Sequence, residues 1–181
     1  ELQVDVDAGL SQAEAARRGL PNIRTTPPAL KVMMRDPTIA MFEKYKVMDR
    51  REIESRYEVY LTEYVKTVQI EANCAVTMAR TMIIPAAIHY QRDLASTLGA
   101  LKSGGVKTAP KGMRALAERI GALIETSLAQ SAAVEKAIAA ESTEKMLAGM
   151  AELRLTADEL EGLVPQSLWP LPSYAEMLFM M

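Results

Sequence analysis

The chain has 181 residues, of which 49% are hydrophobic and 24% charged, a balance that excludes a disordered chain and fits one soluble domain, with or without an appendage. A formal charge of −2 excludes the strongly basic surface of a polyanion binder. One Cys excludes an internal disulfide, and with one His it excludes the usual zinc sets.

The first 35 residues read as irregular, with Val4 and Val6 flanking Asp5 in a short alternating stretch. Ser11-Gln12-Ala13-Glu14 has the capping-box pattern, which predicts a short helix. Gly19 supplies its left-handed terminus, and Pro21 prevents continuation. Thr25-Thr26-Pro27-Pro28 reads as an extended connector, because a residue before proline avoids the helical region. Asp36-Pro37 predicts a cap and a first helical residue, with a helix from about Pro37 to Tyr45.

The dominant element follows. Asp49-Arg50-Arg51-Glu52 is a second capping-box start, and from Arg50 to about Leu98 Pro85 is the single breaker. Tyr57, Leu61, Tyr64, Val68, Ala75, Met78 and Met82 recur at helical spacing. Such a helix extends on the order of 70 Å at 1.5 Å per residue. Pro85 lacks a donor and crowds the carbonyl of Thr81, which predicts a kink. The stretch between Arg80 and Arg92 is the most apolar, but it contains Pro85, His89 and Gln91 and falls short of the ~20 residues that span a bilayer.

Gly99, Lys102-Ser103-Gly104-Gly105 and Pro110 mark a loop. A third helix begins near Pro110, with Met113, Leu116, Ile120, Leu123, Ser127, Val134 and Ile138 as its seam. A break is expected at Ala140 to Thr143, with Ser142 as the next cap. Met146, Met150, Leu153, Ala157, Leu160 and Val164 then step by 4 and 3, the seam of a helix packed at a shallow angle. Pro165 ends it, and Trp169-Pro170-Leu171-Pro172 is held extended by its prolines. Ser173-Tyr174-Ala175-Glu176 is a further capping box that opens a terminal turn.

The predicted fold is therefore all-α, with long antiparallel helices in a bundle and a kinked central helix. Residues 1–48 read as a connector with short helices, 49–164 as the long-helix bundle, and 165–181 as a docking tail containing Pro and Trp.

His89 is the lone histidine and lacks the Glu-x-x-His pattern of di-iron bundles, since position 86 is Ala; a half-buried, hydrogen-bonded or interface role is favoured. Cys74 sits mid-helix without an adjacent cation and reads as a small core residue. Glu71 interrupts the apolar face between Val68 and Ala75, so it is expected to be buried and paired with an Arg or Tyr of a neighbouring helix. Lys102, Lys107, Lys111 and Arg114 surround the glycine-rich loop, but that loop follows a helix and lacks the strand-to-helix setting of a phosphate loop. Tyr57, Tyr60 and Tyr64 lie among Glu54, Glu58 and Glu63, which argues against nucleic acid. Trp169, Tyr174, Leu178 and Phe179 belong to an apolar tail expected to dock on this chain, another domain or another subunit. No nucleophile–base pair, metal cluster or nucleotide loop is assembled, and on the residues alone the chain reads as a structural or interaction module.

The wording of the chain adds a resemblance. Arg18-Gly19-Leu20-Pro21-Asn22 with Thr25-Thr26-Pro27, Ser55-Arg56-Tyr57-Glu58, Ile70-Glu71-Ala72 and Pro85-Ala86-Ala87-Ile88-His89-Tyr90 occur in order. They are followed by Ala157-Asp158-Glu159-Leu160-Glu161, Leu168-Trp169-Pro170-Leu171-Pro172-Ser173-Tyr174 and Glu176-Met177-Leu178-Phe179. This ordered set resembles the C-terminal region of type III glutamine synthetases, while residues 96–145 carry no family wording. The resemblance implies a parent enzyme that joins ammonia to glutamate with ATP and Mg or Mn ions, through a γ-glutamyl phosphate. In that family the catalytic groups lie upstream, so no catalytic, cofactor or metal position is carried over to this chain. It further implies a homo-oligomer, with the rest of the enzyme and neighbouring subunits as partners. The residues themselves favour a cytoplasmic chain, through the free Cys74 and the lack of an export signal, and the charge balance and short apolar stretch argue against nucleic acid and membrane. An opening Glu in place of Met fits a piece of a longer chain. The alternative reading is a stand-alone helical interaction module.

Overall fold

A computed structural model describes residues 13–19, 23, 25–106, 108, 110–172 and 174–178. The structure is all-α, with no strand among these residues. It divides into two units, Glu1–Lys66 and Thr67–Met181.

In the first unit, helix α1 covers residues 13–17, and Gly19 follows it with φ of 69°, the left-handed terminus expected from the sequence. Ser11 lies outside the described residues. Glu14 accepts from Arg17 and Arg18, each at 2.6 Å. These two guanidinium groups, Arg17 foremost, hold the Glu14 carboxyl below its ordinary pKa.

Helix α2, Thr26–Leu30, overturns the expected extended connector. Its prolines fall in the first turn, where a missing N–H costs nothing, and the extended residue is Thr25, at φ −130° and ψ 153°. Helix α3, Asp36–Lys44, starts one residue earlier than expected. Arg35 stands at its N-cap, and Asp36 accepts from Arg50 at 3.0 Å instead of capping. Lys46 closes α3 with a φ of 55°.

Helix α4, Arg50–Met78, opens on the predicted reciprocal box. The Glu52 N–H donates to Asp49 Oδ1 and the Asp49 N–H to Glu52 Oε2, both at 2.8 Å. Among the described residues of this unit, Ile39 and Ile53 are the fully buried large side chains.

Helical structure continues without a loop through a π turn, Ala79–Ile83, into α5, Ile84–Ser103. The sequence predicts a kink at Pro85; the structure answers the missing donor with a change of register. The Ile84 N–H reaches back five residues to the Ala79 carbonyl, and Pro85 then falls in the first turn of α5. The Thr81 hydroxyl donates to the Thr77 carbonyl at 2.7 Å, a back-bond of the kind that bends a helix.

Helices α6, Lys111–Ala139, and α7, Thr143–Glu161, complete the second unit. The α5–α6 pairing is antiparallel: Arg80 bonds Glu135 at 2.7 Å while Gln91 donates to the Ala117 carbonyl at 3.3 Å. The α6–α7 pairing is antiparallel too, with Arg119 on Glu159 at 2.8 Å and Val134 against Gly149. Their connection is a tight one. Glu141, at φ 51°, carries the Schellman pair in which Ser142 N–H bonds Ala137 O and Glu141 N–H bonds Ile138 O. Ser142 stands at the N-cap as predicted, but its side chain makes no cap bond.

The core of this unit gathers Ile83, Ile84, Ala87, Leu94, Ile120, Ile124, Leu160 and Val164. The buried seam of the long helix is Val68, Ala72, Val76 and Ala79, rotated from the predicted line through Ala75, Met78 and Met82. On α6 the seam is Ile120, Ile124, Ser127, Ser131, Val134 and Ala137. Leu123 and Ile138, predicted for that seam, are half-buried at its margin.

Candidate functional site

The second unit contains a cleft of about 320 Å³. One wall is the α4 end and the π turn, with Ala75, Met78, Ala79 and Ile83. The facing wall is α7, with Met150, Leu153 and Ala157, and the remaining side is Trp169, Leu171 and Pro172. Met177 of α8, Tyr174–Leu178, stands at the same cleft. Its space arises because three of the facing positions are alanines, where a larger apolar residue would close the gap.

Charge is confined to the α7 edge, at Arg154, Asp158 and Glu161. Arg154 Nε donates to Asp158 Oδ1 at 2.6 Å, one helical turn apart. A cleft so lined binds by removing apolar surface from water. The Trp169 ring packs on the core cluster, which accounts for its position between the prolines. Its Nε1 is buried and has no hydrogen-bond partner among the described residues, a loss of about 1–3 kcal/mol against a satisfied donor.

The structure separates the residues singled out in the sequence. Trp169 lies at the cleft, beside Met177. Leu178 is 74% exposed. Tyr174 opens α8, but its side chain lies outside the described residues, as does all of Phe179. Glu71 is exposed, which overturns the expected buried pair: with the seam at Val68, Ala72 and Val76, position 71 falls beside the buried face, in water. His89 is exposed on α5, not half-buried, for the same rotation puts Ala86 and Ala87 inward. Cys74 is likewise exposed, with its Sγ 3.9 Å from the Met78 sulfur.

The cleft itself was not visible in the sequence. Its α7 wall was named, through Met150, Leu153 and Ala157, but the period of four and three reads as a filled seam. Nothing local says that the opposite wall leaves space there.

Fold and cleft together define an all-α domain of long antiparallel helices with an apolar receiving surface. Residues 11–102 match the Glutamine synthetase C-terminal domain family, and the chain belongs to that family. A glutamine synthetase of Butyrivibrio fibrisolvens is 34% identical over 180 residues, covering 92% of this chain and 25% of the relative. A type-3 glutamine synthetase of Dictyostelium discoideum is 28% identical and a glutamine synthetase of Bacteroides fragilis 30% identical, with the same coverage of 92% and 25%. The chain thus spans about a quarter of the length of these relatives, 25% in each case.

Proposed function

We propose that this chain is the C-terminal helical part of a glutamine synthetase whose whole chain ligates ammonia to glutamate at the expense of ATP. The observation that carries the proposal is the family match together with relatives that extend far beyond it. The part itself serves folding and assembly. Large apolar side chains left in water, such as Ile70 on α4, 70% exposed, and Leu155 on α7, 68% exposed, support a role in contact with the rest of the enzyme or with neighbouring subunits of a homo-oligomer.

In this reading ATP and the Mg or Mn ions are held elsewhere in the parent, where the ions would neutralise the transferring phosphoryl group. No step is assigned to this chain in that reading; among the described residues no three His, Cys, Asp or Glu side chains are grouped to hold a metal. No helix of the described residues is long and apolar enough to cross a membrane.

The test is a pair of measurements. The 181-residue chain, given glutamate, ammonia, ATP and magnesium or manganese, is expected to form no glutamine. Turnover would overturn the placement of the catalytic groups outside it. A reading of the codons before Glu1 is expected to find a long open frame, and an immediate start codon would refute the parent enzyme.

A further inference from the structure

Helix α4 carries a stripe of exposed residues on the side away from its buried line at Val68, Ala72 and Val76. Arg56, Val59, Glu63, Lys66, Ile70 and Asn73 follow one another along it, and all six are exposed. Their steps of three and four are the spacing of the contact stripe of a two-stranded coiled coil. Val59 is 59% and Ile70 70% exposed, so both leave large apolar surface in water.

The order of these residues selects a partner and a direction. Laid antiparallel on a second copy, with the two-fold axis between Tyr64 and Val65, the stripe is its own complement. Val59 then faces Ile70 of the copy, Glu63 faces Lys66, Arg56 faces Asn73, and the axis repeats each pair in reverse. A parallel pairing sets Glu63 on Glu63 and Lys66 on Lys66. Sliding the antiparallel pair by one heptad sets Arg56 on Lys66 in one sense and Lys66 on Ile70 in the other. Charged residues in such a seam cost stability but fix register and direction, while the apolar pairs supply the attraction.

We propose that α4 is a self-docking helix, whose outer stripe pairs antiparallel with α4 of a second copy, Val59 on Ile70 and Glu63 on Lys66. The pairing gives the homo-oligomer of the proposed function a surface, and it rests on that reading.

The 181-residue chain is followed by sedimentation equilibrium at low salt, from low micromolar to millimolar protein. The native chain is expected to dimerise reversibly. Glu63→Lys and Lys66→Glu should each weaken the dimer about tenfold or more, because each brings four like charges to the axis. An equimolar mixture of the two variants should recover the native constant to within about threefold, since every facing pair is then unlike. Both positions are exposed, and circular dichroism checks that the variants stay folded. A native chain that remains monomeric, single variants that dimerise like the native chain, or a mixture that does not recover overturns the proposal. Direction is read by oxidation in a Cys74→Ser chain. Val59→Cys together with Ile70→Cys should give a disulfide-linked dimer. Neither cysteine alone should do so, because Val59 and its copy lie roughly 16 Å apart along the antiparallel pair. A dimer cross-linked through either single cysteine overturns the register. Dimers unchanged in every variant place the homo-oligomer on another face; they overturn this proposal and leave the proposed function standing, which the turnover and start-codon tests refute separately.

Discussion

Gly149 shows how closely α6 and α7 approach, and its replacement by alanine measures that approach. A Cβ built at Gly149 stands 2.8 Å from Cγ2 of Val134, against an ordinary contact of ~3.5–4.0 Å. Val134 is fully buried and β-branched, so within the helix its side chain strongly prefers one rotamer and moves aside only at a cost. Relief therefore requires the two helices to part by roughly 1 Å, and overpacking of this kind costs about 1–3 kcal/mol. Alanine also improves helix propensity over glycine by about 0.8–1 kcal/mol. The net expectation for Gly149→Ala is a loss of about 0–2 kcal/mol.

Two further glycines calibrate the result. At Gly99 on α5 a Cβ meets nothing within 4 Å, so Gly99→Ala should gain about 0.5–1 kcal/mol from propensity alone. At Gly121 a Cβ meets Gln91 Nε2 at 2.6 Å, the end of a flexible side chain. Gln91 can swing away, giving up its bond to the Ala117 carbonyl, and that loss of about 0.5–1.5 kcal/mol offsets the propensity gain. Urea unfolding followed by circular dichroism should therefore rank Gly99→Ala above Gly121→Ala above Gly149→Ala. Adding Val134→Ala to Gly149→Ala should couple favourably, since contacting pairs depart from additivity by ~0.5–3 kcal/mol. If Gly149→Ala unfolds at the same urea concentration as Gly99→Ala, the α6–α7 approach described here is wrong.

Glu141→Gly should stabilise the chain by about 0.5–1 kcal/mol, because a left-handed φ of 51° is strained for an L side chain; Glu141→Ala should bring no such gain in the same melts. Trp169→Ala should cost about 2–3 kcal/mol, below the ~3–5 kcal/mol of fully buried aromatic truncations because the ring is only partly enclosed, and an unchanged thermal midpoint would mean that its packing on the core contributes nothing. Glu71→Gln should leave the urea midpoint within ~0.5 kcal/mol of the native chain, as an exposed position implies, and a larger loss would restore the buried pair.

Local chemistry was legible wherever one short stretch decides the outcome. The Asp49–Glu52 box, the left-handed Gly19, the break at residues 140–142 and the all-α class follow from capping, backbone freedom and a 3.6-residue period. Thr26-Pro27-Pro28 misled because proline is equally at home in an extended segment and in the first turn of a helix, and only the surrounding structure chooses.

Which face of each helix turns inward is a different kind of question. A periodic pattern fixes a stripe to within about one residue, or 100° of rotation, and beyond the π turn the phase shifts by an inserted residue, where Pro85 had announced only a kink. Glu71 lies in water because the stripe before the π turn runs through Val68, Ala72 and Val76, and His89 because the stripe after it runs through Ala86 and Ala87, although both were read as partly or wholly inside. The cleft has the same origin. Ala75, Ala79 and Ala157 are small side chains anywhere in the sequence, and they become a cavity only when packing sets them opposite one another. The sequence by itself determined the helices, their ends and the family wording; tertiary structure decided the inward faces and the open space between them, because those depend on how elements distant along the chain come to face one another.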